Sequence, residues 1–188
     1  MTKTTLKTLA LVVALFSLAG AKESKFTDKR DGKVYATTKI GKQTWMAENL
    51  NYAADSSWCY KDDPANCKKY GRLYTWEAAT KACPAGWHLP TSKEWDELRK
   101  ALGENAGTKL KSKDWDGTDA VGFHALPAGG RDNGGDFYYM GSGARFWPAT
   151  EGDGTPAYYR YLNSDDAGLY SGSNRSKNYA YSVRCLQD

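Results

Sequence analysis

The chain has 188 residues, a formal charge of +4, 19 glycines, 13 tyrosines and 7 tryptophans. That length suits one domain with a real core, and so small a charge asks for neither nucleic acid nor an acidic surface. Abundant glycine and aromatic residues, with little helix-length apolar periodicity, exclude a helical bundle and favour short strands joined by ordered loops.

Residues 1–21 have the pattern of a secretory signal peptide. Lys3 and Lys7 precede an apolar run from Leu9 to Ala19, the length of an h-region and too short to span a bilayer. Ala19-Gly20-Ala21 supplies the small residues of a cleavage site. The expected mature chain is 22–188, one domain exported to the periplasm, cell surface or extracellular space. Loss of the two lysines lowers its charge from +4 to +2. No later stretch is apolar enough to cross a membrane.

Lys33 to Trp45 reads as a hairpin turning at Gly41. Cys59 and Cys67 flank a turn-rich segment, Lys61 to Asn66. Leu73 to Ala82 is a helix candidate ended by Pro84, and Gly86 to Pro90 a short extended link. Thr91, with Glu94 three residues on, forms a capping box for a second helix. Trp95, Leu98 and Leu102 give that helix its apolar stripe, and Gly103 stops it. Strands are then expected at Gly122–Leu126, Phe137–Met140, Arg145–Trp147, Ala157–Leu162 and Tyr179–Leu186. The fold class is α+β: two helices packed on short antiparallel strands, with the termini close together.

Export places Cys59, Cys67, Cys83 and Cys185 in an oxidising compartment, where an even number implies two disulfides. Four cysteines permit three pairings. In one of them Cys59–Cys67 staples a local loop and Cys83–Cys185 ties the end of the first helix to the last strand. Zinc lacks the CxxC or Cys/His spacing it needs.

Catalytic patterns are missing: there is no Gly-x-Ser-x-Gly elbow, His-Glu-x-x-His or phosphate loop. His88 and His124, the two histidines, read as hydrogen-bonded structural imidazoles. Asp114, Asp116 and Asp119 cluster round Gly117 and make a weak calcium candidate. They lack the bidentate glutamate of an EF-hand, and a polar surface turn explains them as well. No other cofactor is expected.

The segment from Trp147 to Tyr181 holds the binding candidates. In Ala157 to Asn163, strand alternation puts Tyr158, Arg160 and Leu162 on one face and Tyr159, Tyr161 and Asn163 on the other. If Leu162 faces the core, the second set faces solvent. With Tyr170, Asn174 and Arg175 they make a tyrosine, asparagine and arginine mixture like that of a paratope. The plain alternative is soluble turns with tyrosines packed on sheet edges. Trp45, Trp76, Trp87 and Trp95 read as core residues, whereas Trp58, Trp115 and Trp147 are freer to stack on a sugar. Trp147, Tyr159, Tyr161, Asn163, Tyr170, Asn174 and Arg175 are therefore the candidate contacts for a polysaccharide or an extracellular protein.

Several strings resemble a known family. They are Gly41-Lys42-Gln43-Thr44-Trp45-Met46-Ala47-Glu48-Asn49-Leu50, Tyr70-Gly71-Arg72-Leu73-Tyr74-Thr75-Trp76, Cys83-Pro84-Ala85-Gly86-Trp87-His88-Leu89-Pro90-Thr91, Leu126-Pro127-Ala128-Gly129 and Ser182-Val183-Arg184-Cys185-Leu186. In this order they look like the Fibrobacter succinogenes major paralogous domain, which in turn resembles the C-type-lectin-like superfamily. The resemblance implies a C-type-lectin-like fold, a Cys83–Cys185 bridge and a ligand surface in the C-terminal strands and loops, suited to adhesion. It also raises a sulfatase-modifying type of oxidase, here degenerate: such enzymes use two redox cysteines near the C-terminus, where this chain has only Cys185. A purely structural surface protein is the third reading.

Overall fold

A computed structural model describes residues 24–152 and 156–188. The expected signal peptide lies outside the described residues. The first half carries β1 (Ser24–Thr27), β2 (Val34–Ile40), β3 (Gln43–Met46), β4 (Ser57–Trp58), α1 (Pro64–Tyr70), β5 (Leu73–Thr75), α2 (Trp76–Ala82), β6 (Trp87–His88), α3 (Ser92–Leu102) and α4 (Ala106–Leu110). The second half adds β7 (Ala128–Arg131), β8 (Phe137–Met140), β9 (Gly143–Phe146), β10 (Pro156–Asn163), β11 (Tyr170–Ser176), β12 (Ala180–Ser182) and β13 (Leu186–Gln187). The class is α+β, dominated by sheet.

Two sheets form among the described residues. The first runs β1-β2-β3-β13-β6, so the chain's last strand lies between its opening hairpin and β6. The second runs β11-β10-β9-β7-β12-β5-β4, with β8 paired to β7 off this path. Among the described strands β7–β9 and β9–β12 pair in parallel and the rest antiparallel.

Local chemistry accounts for the helix boundaries. The Thr91 side chain accepts from the Glu94 amide, and Glu94 reaches back to the Thr91 amide, so both orphan donors of α3 are satisfied. At its end Gly103 takes φ 67°, and its amide bonds the Arg99 carbonyl. The Leu73–Ala82 segment is not one helix. Tyr74 pairs with Tyr181 in the sheet, and the Thr75 side chain caps a helix that begins only at Trp76. The turn-rich segment after Cys59 contains α1, capped by Asp63 and started by Pro64.

The expected strand at Gly122–Leu126 does not form. His124 takes φ 51°, and Ala125 makes only an isolated bridge to Lys111. Tyr179–Leu186 breaks into β12 and β13 for a related reason, because Arg184 between them turns inward. Its guanidinium, wholly buried, bonds Asn49 Oδ1 at 2.6 Å, the Met46 carbonyl at 3.2 Å, the His124 carbonyl at 2.9 Å and the Phe123 carbonyl. Burial pulls this group down to about 9, against the pull of the Glu48 and Asp119 carboxylates, and its hydrogen bonds go to carbonyl oxygens.

Trp45 packs on Trp95 at 4.8 Å and on Phe123 at 5.7 Å, and Trp95 on Phe146 at 5.4 Å, making a core between the first sheet, α3 and the second sheet. Cys59 is bridged to Cys67 and Cys83 to Cys185, and no free cysteine remains. Among the described residues no helix is long and apolar enough to cross a membrane.

Candidate functional site

The two outermost strands of the second sheet carry most of the candidate contacts. In β10 Arg160 and Leu162 point to the core, at 5% and 1% exposure. Tyr159, Tyr161 and Asn163 take the other face and stay half-buried, as alternation requires. Tyr161 lies directly opposite Tyr170 on β11 and Arg145 on β9.

From there a row of rings crosses the sheet. Tyr170 stacks on Tyr161 at 5.4 Å, Tyr161 meets Tyr159 at 5.5 Å, and Tyr159 meets Tyr181 at 5.5 Å. Tyr179 follows at 6.2 Å from Tyr181, then Tyr138 at 6.4 Å from Tyr179 and Tyr139 at 5.1 Å from Tyr138. Two guanidinium groups are set into the row. Arg145 lies 4.9 Å from the Tyr139 ring centre and 5.4 Å from that of Tyr161; Arg175 lies 5.7 Å from Tyr159 and 5.5 Å from Tyr179.

Glycines let the rings lie flat. A Cβ on Gly172, directly across from Tyr159, would collide with that ring. A Cβ on Gly130 would stand 2.8 Å from the Tyr181 ring and 3.1 Å from Tyr138. Tyr181 is the floor of the row, 1% exposed, with its phenol pushed up by burial and accepting from the Tyr138 hydroxyl at 3.0 Å. Tyr139 and Tyr170 are its open ends, at 58% and 39% exposure. The Tyr170 phenol is raised because it donates to Asp166 at 2.6 Å. The face therefore offers phenol hydroxyls, flat apolar area and two cations: stacking surface with donors for a ligand's oxygens.

A depression of about 320 Å³ lined by Tyr139, Ser142, Arg145, Asn163, Ser164 and Asp165 adjoins the row. Its rim is tied down from below by Lys111, 2% exposed, whose ammonium donates to the carbonyls of Asn163, Ser164 and Asp166 at 3.1, 3.1 and 2.9 Å.

Tyr159, Tyr161, Tyr170 and Arg175 are thus brought together, with Asn163 at the margin. Asn174, at φ 63°, instead lines a separate hollow with Tyr158 and Pro156. Trp147 is not a contact residue. It is fully buried, its indole donates to the Tyr74 carbonyl at 2.8 Å, and its ring packs 4.4 Å from Tyr181. Trp115 is buried too, and half-buried Trp58 lies under the Arg131 guanidinium at 4.3 Å on another strand edge. Tyr138, Tyr139 and Arg145 escaped the sequence reading. The Phe137-Tyr138-Tyr139-Met140 run was their visible signal, but only the β8–β7–β9 pairing brings it to the row.

The other candidates resolve into structural contacts. Asp119 accepts from the His124 amide at 2.8 Å and its ring at 3.2 Å, and the turn that carries it hangs on Lys111 and Ser112 by backbone bonds. Asp114, Asp116 and Asp119 do not converge; no group of three His, Cys, Asp or Glu among the described residues is placed to hold a metal. His88 bonds Asp188 and Glu94 at 2.7 and 2.9 Å. A cleft of about 280 Å³ between Lys33, Glu48, Asn51 and Lys69 is polar, and two of its charges serve the backbone: Glu48 accepts from the Ala36 amide and Lys33 donates to the Asn51 carbonyl.

No curated protein and no solved structure matches the chain. The family model of the Fibrobacter succinogenes major domain matches residues 38–187, from β2 to β13, and so spans the core and the whole tyrosine row. The chain belongs to the Fibrobacter succinogenes major domain family.

Proposed function

We propose that the chain is an exported, non-catalytic module that binds carbohydrate on its tyrosine row, in surface adhesion. The observation that carries the reading is the row itself: flat rings over glycines, ending in two exposed tyrosines and interleaved with Arg145 and Arg175. Pyranose rings have an apolar C–H face and a hydroxyl rim, which match indented aromatic surface flanked by donors. Two disulfides suit an oxidising compartment and hence export. The bridge at Cys185 leaves no thiol for an oxidase of the sulfatase-modifying type. A mixed α+β chain with a bridge from an early helix to the last strand region is also consistent with a C-type-lectin-like fold, where such a bridge is common. Ligand contact at phenols and guanidinium groups needs no calcium.

The test is a glycan array, with and without calcium, probed with mature protein and with a Tyr161→Ala/Tyr139→Asn variant. Asparagine suits position 139 because Tyr139 takes φ 60°. Saturable binding should fall about tenfold or more in the variant, the scale of one or two lost aromatic contacts, and calcium should make no difference. Binding that survives the double substitution would move the site elsewhere.

A further inference from the structure

The depression of about 320 Å³ beside the tyrosine row holds two opposite charges, Arg145 and Asp165, that form no ion pair with each other. Arg145 reaches it from β9. Its guanidinium lies over the bare α-carbon of Gly143, where a Cβ would collide with it, and against the rings of Tyr139 and Tyr161. Nη1 donates to the Ala144 carbonyl at 3.2 Å and the Leu162 carbonyl at 3.4 Å. Among the described residues Nε and Nη2 have no hydrogen-bond partner. Two rings and two carbonyls thus fix the guanidinium fork while one donor edge stays open.

The end of β10 and the turn after it supply Asn163, Ser164 and Asp165. This wall is held firmly. The Lys111 ammonium, costly to bury unless fully bonded, is spent on the carbonyls of Asn163, Ser164 and Asp166. The Ser164 amide donates to the Ser142 carbonyl at 3.0 Å and so joins two lining residues. The Asp165 carboxylate is exposed and makes no bond among the described residues.

A ligand that fits here must both accept and donate, because Arg145 only donates and an ionised carboxylate only accepts. A simple anion would face Asp165 and a simple cation would face Arg145. Neighbouring hydroxyls of a pyranose accept and donate together, and the Tyr139 ring can cover the apolar face of the sugar. A zwitterion would match the two charges as well; the choice of a sugar rests on the reading of the tyrosine row. We propose that this depression sets the class of sugar, binding one uncharged pyranose residue with Arg145 donating to its hydroxyl oxygens and Asp165 accepting from an adjacent hydroxyl. A uronic acid that gave its carboxylate to Arg145 would bring a second negative charge beside Asp165, so neutral glycans are preferred.

The test is an NMR titration of the ¹⁵N-labelled mature chain, read at the Arg145 Nε–H signal, which Arg145→Lys removes and so assigns. The probes are the methyl glycosides of glucose, galactose and mannose, with glucuronate and alanine beside them. At least one neutral glycoside should move the signal saturably and bind more tightly than glucuronate, and alanine should not move it. Asp165→Asn, at an exposed position, should weaken that glycoside about tenfold, the scale of one hydrogen bond to a charged group, and should bring glucuronate level with it. No shift with any neutral glycoside overturns the proposal. Tighter binding of glucuronate makes this an anion site, a response to alanine removes the sugar, and an unchanged Asp165→Asn variant removes the role of Asp165. Single sugars read the depression alone, whereas the glycan array reads the row. Array binding without a single-sugar shift keeps the row and sinks the subsite; a shift with a blank array keeps the subsite and sinks the row.

Discussion

His88 joins three parts of the chain through one ring. It bonds Asp188 at the C-terminus and Glu94, whose other oxygen accepts from the Thr91 amide in the α3 capping box. Partial burial works to lower the imidazolium, but the two carboxylates outweigh it and hold the group above its ordinary value. For Glu94 burial works upward, and the Thr91 and His88 bonds win, holding it below the usual carboxylate range. A raised histidine contributes stability that is complete below its unfolded value and fades as pH rises through the folded one. A lowered glutamate contributes above its unfolded value and fades as pH falls through the folded one. The contact should therefore support the fold most between about pH 5 and about pH 6.5 and weaken as pH rises above that window. Thermal melts across that range should show the decline in the native chain and a flatter profile in His88→Gln. Because the side chain is 36% exposed, added salt should shrink the difference. An unchanged slope in the variant would mean that the ring is neutral in both contacts.

The β10–β11 pair shows how an element presents a surface rather than filling a core. Gly172 is the means: its bare α-carbon lets the Tyr159 ring lie across the edge strand. Gly172→Val should push that ring off its seat while suiting the strand's extended backbone. We expect carbohydrate binding to drop about as far as in the tyrosine variants, with a melting temperature close to the native one. A large loss of stability would instead make the ring a core element of the sheet. The row was only partly legible in the sequence. Alternation around Leu162 gave the outward set Tyr159, Tyr161 and Asn163, because the side-chain period of a strand is local information. Trp147 and the Gly122–Leu126 strand could not be read that way. Which side of β9's end is covered depends on Tyr181 arriving from a distant strand, and the Phe123 and His124 carbonyls are taken by Arg184, some sixty residues on. The polar β11, exposed along most of its length, has no apolar alternation to announce it. The capping box, Gly103 and the hairpin at Gly41 were legible because each is complete within a few residues.

At the scale of the whole molecule, the two disulfides divide the labour of holding a chain whose end is threaded through its beginning. Cys83–Cys185 spans 102 residues and anchors the stretch between Arg184 and Leu186, where the last strand enters the first sheet. Cys59–Cys67 spans 8 residues and ties β4 to α1 at the far end of the second sheet from β11. Restricting the unfolded chain over the long span contributes about 4–5 kcal/mol, and over the short one about 2–3 kcal/mol. Cys83→Ala/Cys185→Ala should therefore lower the melting temperature by roughly 10–20 °C, and Cys59→Ala/Cys67→Ala by about half as much. The short-bridge variant should also keep the tyrosine row intact, because six strand positions separate β4 from β11 in the sheet order; its ligand affinity at room temperature should equal the native value. Should the short bridge prove the costlier loss, chain entropy would not be its main contribution. The Arg72 guanidinium, 3.6 Å from both sulfurs and bonded to Ser57, would then identify the bridge as packing for the β4–β5 edge.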